Sequence, residues 1–175
     1  PDVHFKIDVV KNPWDYISSA FDILVTGKMP HERFPDTSLV CRKLLNLPAG
    51  VFASVDYLKE HKRPRVPADL KKHRCLCFTG ANAWPFLDKA GMTYDLQVRS
   101  AFSSNSSGLL QGMTEKGCGV CYGFDFMFQA GLADGSISRL LTKYVPPTLL
   151  ETYVFYPKTD YLPVKTRVLI DRMLA

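Results

Sequence analysis

Two kinds of periodicity take turns along this chain, and together they restrict it to a fold that layers helices on sheets. Val3, Phe5, Ile7 and Val9 alternate with His4, Lys6 and Asp8, and Tyr94, Leu96 and Val98 alternate with Thr93, Asp95, Gln97 and Arg99. A period of two places the apolar side chains on one face, the mark of a half-buried strand. Further strands are read at residues 21–25, 39–45, 51–53, 75–79, 120–122, 137–141 and 152–156. Helix chemistry lies between them. Ser54 is placed as an N-cap ahead of Val55-Asp56-Tyr57-Leu58-Lys59. The polar run 103–107 leads into Leu109-Leu110-Gln111-Gly112-Met113, a helix with hydroxyl caps that Gly117-Cys118-Gly119 closes. Residues 125–132 form a short helix. Pro163 opens a last one with Val164, Val168, Leu169 and Met173 on one side. Strands alternating with helices predict an α/β fold with mainly parallel pairing.

The chain has 175 residues, about the size of one domain or two small lobes built together. It is 46% hydrophobic and 22% charged, which excludes a disordered or collagen-like chain. Apolar runs such as residues 51–53 and 23–25 fall far short of the ~20 residues of a membrane span. The opening Pro1-Asp2-Val3-His4 lacks a charged start followed by an apolar stretch, so no signal peptide and no membrane partner are expected.

The net charge is +5, and all of it sits in residues 59–74, where seven basic residues face Glu60 and Asp69. Pro64 and Pro67 break the segment, and it has no aromatic residue on which a base could stack. A solvated basic loop is the expected reading, with a nucleic-acid contact as the alternative.

Five cysteines, Cys41, Cys75, Cys77, Cys118 and Cys121, fit reduced, mostly buried thiols in a cytoplasmic protein. Cys75-x-Cys77 with Cys118-x-x-Cys121 has the count for a zinc site, but Val120-Cys121-Tyr122 reads as buried strand, so no metal is expected. Gly112 and Gly117 have phosphate-loop spacing, yet Cys118-Gly119 follows where Lys and Ser or Thr are needed. No nucleophile elbow occurs, and the four histidines have no metal-ligand spacing. The expectation is a protein that is not an enzyme and carries no cofactor.

Several stretches together resemble LysR-type transcriptional regulators. These are Phe21-Asp22-Ile23-Leu24-Val25-Thr26-Gly27, Asp36-Thr37-Ser38-Leu39-Val40-Cys41-Arg42-Lys43-Leu44, Ala53-Ser54-Val55-Asp56-Tyr57-Leu58 and the run from Pro64 to Leu76. Asn105, Lys116-Gly117-Cys118-Gly119-Val120, and Asp134-Gly135 ahead of Leu140-Leu141 continue the series in order. The resemblance implies an effector-binding domain with a two-lobed periplasmic-binding-protein-like (type 2) fold, mixed sheets flanked by helices and two crossing strands. Lobe one is expected at residues 1–52 plus 154–175 and lobe two at 53–153, with crossings at 51–53 and 153–155. The winged helix-turn-helix that reads DNA, and the first strand and helix of lobe one, are expected to lie outside this sequence.

The resemblance further implies a small-molecule effector held between lobes, DNA bound through the N-terminal domain, and a homodimer or homotetramer. Ligands of open α/β sheets sit beyond the carboxyl ends of strands, where helix N-termini favour anions. The candidate effector-binding residues are therefore Thr26, Gly27, Ala53, Ser54, Asn105, Ser106 and Gly123, with Trp84 and Phe124 as apolar walls. The plainer reading comes first for each: Ser54 and Ser106 as simple helix caps, and Trp84 and Phe124 as core or lobe packing. A stand-alone solute-binding protein of transport and a small enzyme on the same sheet are the competing functions.

Overall fold

The structure, a computed structural model, describes residues 4–10, 12–16, 21–28, 32–146, 150–159 and 161–174. The strands are β1 (Leu24–Lys28), β2 (Leu39–Leu47), β3 (Ala49–Ser54), β4 (Cys75–Phe78), β5 (Ala83–Leu87), β6 (Thr93–Gln97), β7 (Ser100–Ser104), β8 (Val120–Phe124), β9 (Ile137–Leu140) and β10 (Leu150–Pro157). The α-helices are α1 (Val55–Glu60), α2 (Ser107–Glu115), α3 (Gln129–Asp134) and α4 (Val164–Leu174). Turns of 3-10 helix cover Pro13–Tyr16, Pro67–Lys72 and Asp125–Phe128. The chain forms two units: Pro1–Asn46 with Leu150–Ala175, and Leu47–Leu149. Residues 51–53 lie within a sheet of the second unit, and residues 153–155 within the sheet of the first.

The first unit holds a three-stranded sheet in the order β1-β10-β2. β1 and β10 are antiparallel, with Thr26 opposite Tyr153 and Gly27 opposite Thr152. Trp14 and Phe34 pack edge-on against Phe155, and Phe34 also against Tyr153. The period-two segment at the start of the chain does not become a strand. His4 to Val10 carry no sheet bonds, and Phe5, Ile7 and Val9 are exposed. A strand's N–H and C=O groups need a neighbour, and among the described residues none pairs with this segment. Val3 lies outside the described residues. The face of α4 also differs from expectation. Thr166 and Ile170 point inward, while Val164 and Val168 are exposed.

The second unit is built on a five-stranded sheet in the order β7-β4-β8-β3-β9. β4 is parallel to β7 and β8, whereas β3 is antiparallel to β8 and β9. Four strands therefore run one way, and β3 is inserted among them against the grain, so the expected mainly parallel pairing holds only for β7-β4-β8. Strand alternation sorts the core. Val51, Ala53, Cys75, Cys77, Val120, Tyr122 and Leu140 face one side, packed with Tyr57, Leu70, Trp84 and Phe86. Phe52, Leu76, Cys121 and Ile137 face the other, packed with Leu110, Met127 and Phe128. Layers on both faces of a sheet are what a strand such as β3, buried throughout and apolar up to Ser54, requires.

The β5–β6 hairpin lies in the first of these layers. Its turn is set by Asp88, whose carboxylate accepts from the N–H groups of Ala90 and Met92 at 2.8 Å. Ser106 caps α2 by accepting from Leu109 N–H at 3.3 Å. The helix closes where Gly117 takes φ +74°. Gly117 N–H then reaches Thr114 C=O at 3.0 Å and Cys118 N–H reaches Met113 C=O at 2.9 Å, the paired bonds of a left-handed glycine stop.

Candidate functional site

The directions of the strands decide which candidate residues can act together. β4, β7, β8 and β9 all end at one edge of the second unit's sheet, at Phe78, Ser104, Phe124 and Leu140. Asn105 and Ser106 lie on this edge, both exposed, directly after β7. Gly123 and Phe124 lie on it at the end of β8, with Phe124 half-buried and its ring stacked on that of Phe126. A side chain at Gly123 would fit tightly, because a Cβ would sit 3.2 Å from Met127 Sδ and 3.3 Å from Phe128 Cε2.

Ser54 and Ala53 are at the opposite edge. β3 runs against its neighbours, so its last residue pairs with Ile137, the first residue of β9. Ser54 sits beside Gly117, at the far end of α2 from Ser106. Nine helical residues span about 13 Å at 1.5 Å each, so Ser54 and Ser106 cannot grip one small carboxylate. Ser54 is buried, and its Oγ accepts from Tyr57 N–H at 3.2 Å. Trp84 is 3% exposed in the apolar core, 5.6 Å from the Tyr122 ring. It presents no wall to solvent. Thr26 and Gly27 belong to the other unit, inside β1 rather than in a turn after it.

Charge marks two further places. Arg139, on β9, forms an ion pair with Asp125 and donates from Nη2 to Ala49 C=O at 3.1 Å. Its guanidinium also lies 5.6 Å from the Phe52 ring. Gly50 leaves the space for this group: a Cβ there would stand 2.8 Å from Arg139 Nε. A cavity of about 210 Å³ opens beside Arg139, lined also by Pro48, Ala49, Thr142, Val145 and Pro146. The sequence signal for Arg139 is a lone cation between the apolar ends of the short strand Ile137-Ser138-Arg139-Leu140. In the first unit, Glu151 accepts from Lys28 at 2.8 Å, Lys43 at 2.6 Å and the Tyr153 hydroxyl at 3.0 Å. These bonds hold the Glu151 carboxyl down at about 2 and raise Lys28 above its usual value.

Cys75, Cys77 and Cys121 are buried in the core. Burial pushes the thiols of Cys75 and Cys121 up to about 12, away from the thiolate that nucleophilic or metal chemistry needs. Among the described residues no group of three or more His, Cys, Asp or Glu is placed to hold a metal. None of the described helices is long and apolar enough to cross a membrane.

Mixed sheets flanked by helices, with charged and polar groups at the carboxyl edge of one sheet, define an α/β module with a candidate ligand edge. Comparison with known proteins makes that class specific. The LysR substrate binding domain model matches residues 1–175, so the chain belongs to the LysR substrate binding domain family and is an effector-binding domain of the LysR type. It is similar to the HTH-type transcriptional regulator CrgA of Neisseria meningitidis serogroup C, 28% identical over 139 residues, covering 78% of this chain and 46% of that protein. The HTH-type transcriptional activator AaeR of Escherichia coli K12 is 26% identical over 162 residues, covering 91% and 50%. The chain thus spans about half the length of the curated relatives it matches.

Among solved structures, the regulatory domain of CrgA, a LysR-type transcriptional regulator, aligns with TM-score 0.76 at 27% identity, covering 91% of this chain and 78% of that one. The full-length Vibrio cholerae virulence activator AphB aligns with TM-score 0.86 at 24% identity, covering 99% and 58%, a likeness of fold. The fold is the two-lobed, periplasmic-binding-protein-like α/β fold of these regulatory domains.

Proposed function

We propose that this domain senses a small anionic metabolite for a DNA-binding transcriptional regulator working in the bacterial cytoplasm. The observation that carries the reading is the family match along all 175 residues. In this reading the effector reaches the second unit at the carboxyl edge of its sheet. Asn105 and Ser106 supply polar contacts, Gly123 and Phe124 a close backbone and an apolar face, and Arg139 the positive charge. β7 and β9 are four strands apart in sheet order, roughly 19 Å at about 4.8 Å per strand. A small effector therefore uses part of this edge, with Phe124 midway. Thr26 and Gly27 are the corresponding proposal for the first unit. DNA would be bound by an N-terminal helix-turn-helix domain, and the regulator would act as a homodimer or homotetramer. An effector shifts such an equilibrium only by its differential affinity for two states, typically about 1–3 kcal/mol. The relatives reported above are transcriptional regulators, which favours this reading over transport or catalysis.

The test is a thermal-shift screen of carboxylate metabolites. A ligand that binds the folded state raises the midpoint by mass action. The shift should shrink in Asn105→Ala or in Arg139→Gln, according to the end of the edge that the ligand occupies, and persist in Ser54→Ala. Hits whose shift depends on Ser54 and ignores Asn105 and Arg139 would overturn the placement.

A further inference from the structure

The basic segment is a folded surface, where a solvated loop was expected. Pro67–Lys72 forms a 3-10 helix whose Leu70 is fully buried, and Pro64 and Pro67 are buried too. Asp69 fixes the entry to this turn by accepting from the N–H groups of Arg65 at 2.9 Å and Val66 at 3.1 Å. The exit is fixed by the Tyr57 hydroxyl, which accepts from Arg74 N–H at 3.1 Å and lies 3.2 Å from His73 Nδ1. The one nearby acid inside the turn is thus spent on backbone donors. Lys59 pairs with Asp56, and Arg63 donates to Arg139 C=O at 2.7 Å. Lys62, Arg65, Lys71, Lys72 and Arg74 are exposed, and among the described residues they make no salt bridge.

We propose that this face is a sequence-independent contact for the phosphodiester backbone of duplex DNA, additional to effector sensing. Five cations stand on an anchored backbone, in a chain whose remaining residues carry no net charge. Phosphate contacts need only such cations and backbone N–H groups. A protein partner would need an apolar or aromatic anchor at the centre of the interface. Val66 is the one exposed large apolar side chain of residues 62–74, and no aromatic ring other than the His73 imidazole is present. The same lack of rings removes base stacking, which directs the proposal to duplex rather than single-stranded nucleic acid.

Binding of this chain to a duplex of arbitrary sequence, followed by fluorescence anisotropy against salt, tests the idea. Contact with three to five phosphates gives a log–log slope of roughly −2.7 to −4.5, or about a 40- to 500-fold loss between 50 and 200 mM salt. Lys71→Gln/Lys72→Gln should reduce the slope by about 1.8. Lys158→Gln/Lys165→Gln, exposed cations of the other unit, should leave it unchanged. Circular dichroism confirms that each variant folds. No duplex binding at 50 mM salt, a slope indifferent to Lys71 and Lys72, or tighter binding to an acidic polypeptide than to the duplex would each overturn the proposal.

Discussion

Removing the Ser54 hydroxyl separates structural support from ligand recognition. Ser54 ends the central antiparallel strand β3 and starts α1, whose first turn leaves N–H groups without helical partners. Val55 N–H is satisfied by Ser136 C=O at 2.8 Å. Tyr57 N–H has the Ser54 hydroxyl. In Ser54→Ala that donor loses its partner in a place where Ser54 is 3% exposed and water does not readily replace it. A cap is worth about 0.5–2 kcal/mol, and a buried donor left unpaired costs about 1–3 kcal/mol. The expected loss is therefore about 2 kcal/mol. Ser106 is exposed, so water takes over its role, and Ser106→Ala should cost about 0.5 kcal/mol, the low end of the range. For a chain of this size each kcal/mol moves the thermal midpoint by about 2–4 °C. Ser54→Ala should thus melt about 4–8 °C lower and Ser106→Ala about 1–2 °C lower. Urea titrations followed by circular dichroism should show a lower midpoint with an unchanged slope. Ser54→Thr, which keeps the oxygen, should recover part of the loss. If Ser54→Ala melts with the parent and abolishes an effector-induced shift, the cap argument fails and the hydroxyl belongs to the ligand.

Other perturbations probe the same layers. Gly50→Ala should lower stability by about 1–3 kcal/mol, because its Cβ would meet the Phe52 ring and Arg139 Nε; an unchanged urea midpoint would show that this corner can yield. Burial, and then His61, lower the pKa of His73 below its usual 6.5, so its contribution is complete above that value and is lost as pH falls below 6.5 toward the depressed value. Urea midpoints at pH 8 and pH 5 should differ more in the parent than in His73→Gln, and equal differences would refute the assignment. Thiol titration at pH 8 should label exposed Cys41 first and reach Cys75, Cys77 and Cys121 only on unfolding; early labelling of Cys121 would contradict its burial.

What the sequence disclosed depended on whether the cause was local. The Ser54 and Ser106 caps and the Gly117 stop are decided within a few residues, and the structure has all three. β5 was hidden because Pro85 interrupts a short apolar run that alone suggests no strand. Its register comes from β6, across the turn that Asp88 organises. β7 was hidden inside a serine-rich run whose polarity pointed to a cap, although its backbone pairs with β4. The first segment fails in the opposite way. Its alternation is clear, but alternation states only which face would be buried if a partner strand supplied the hydrogen bonds.

The same limit governs the candidate site. Strand-to-helix junctions are visible in sequence, but their edge of the sheet follows from strand direction, which is a property of pairs. Inserting β3 against its neighbours sends Ser54 to one edge and leaves Asn105, Ser106 and Phe124 at the other. It also brings Ala49, at the start of β3, next to Phe124 and within reach of Arg139. The antiparallel insertion that divides the expected serine pair thus places a guanidinium and an aromatic face along one edge. The anion site proposed for this unit would therefore draw its charge from Arg139 on β9, where a reading confined to helix N-termini had no reason to look.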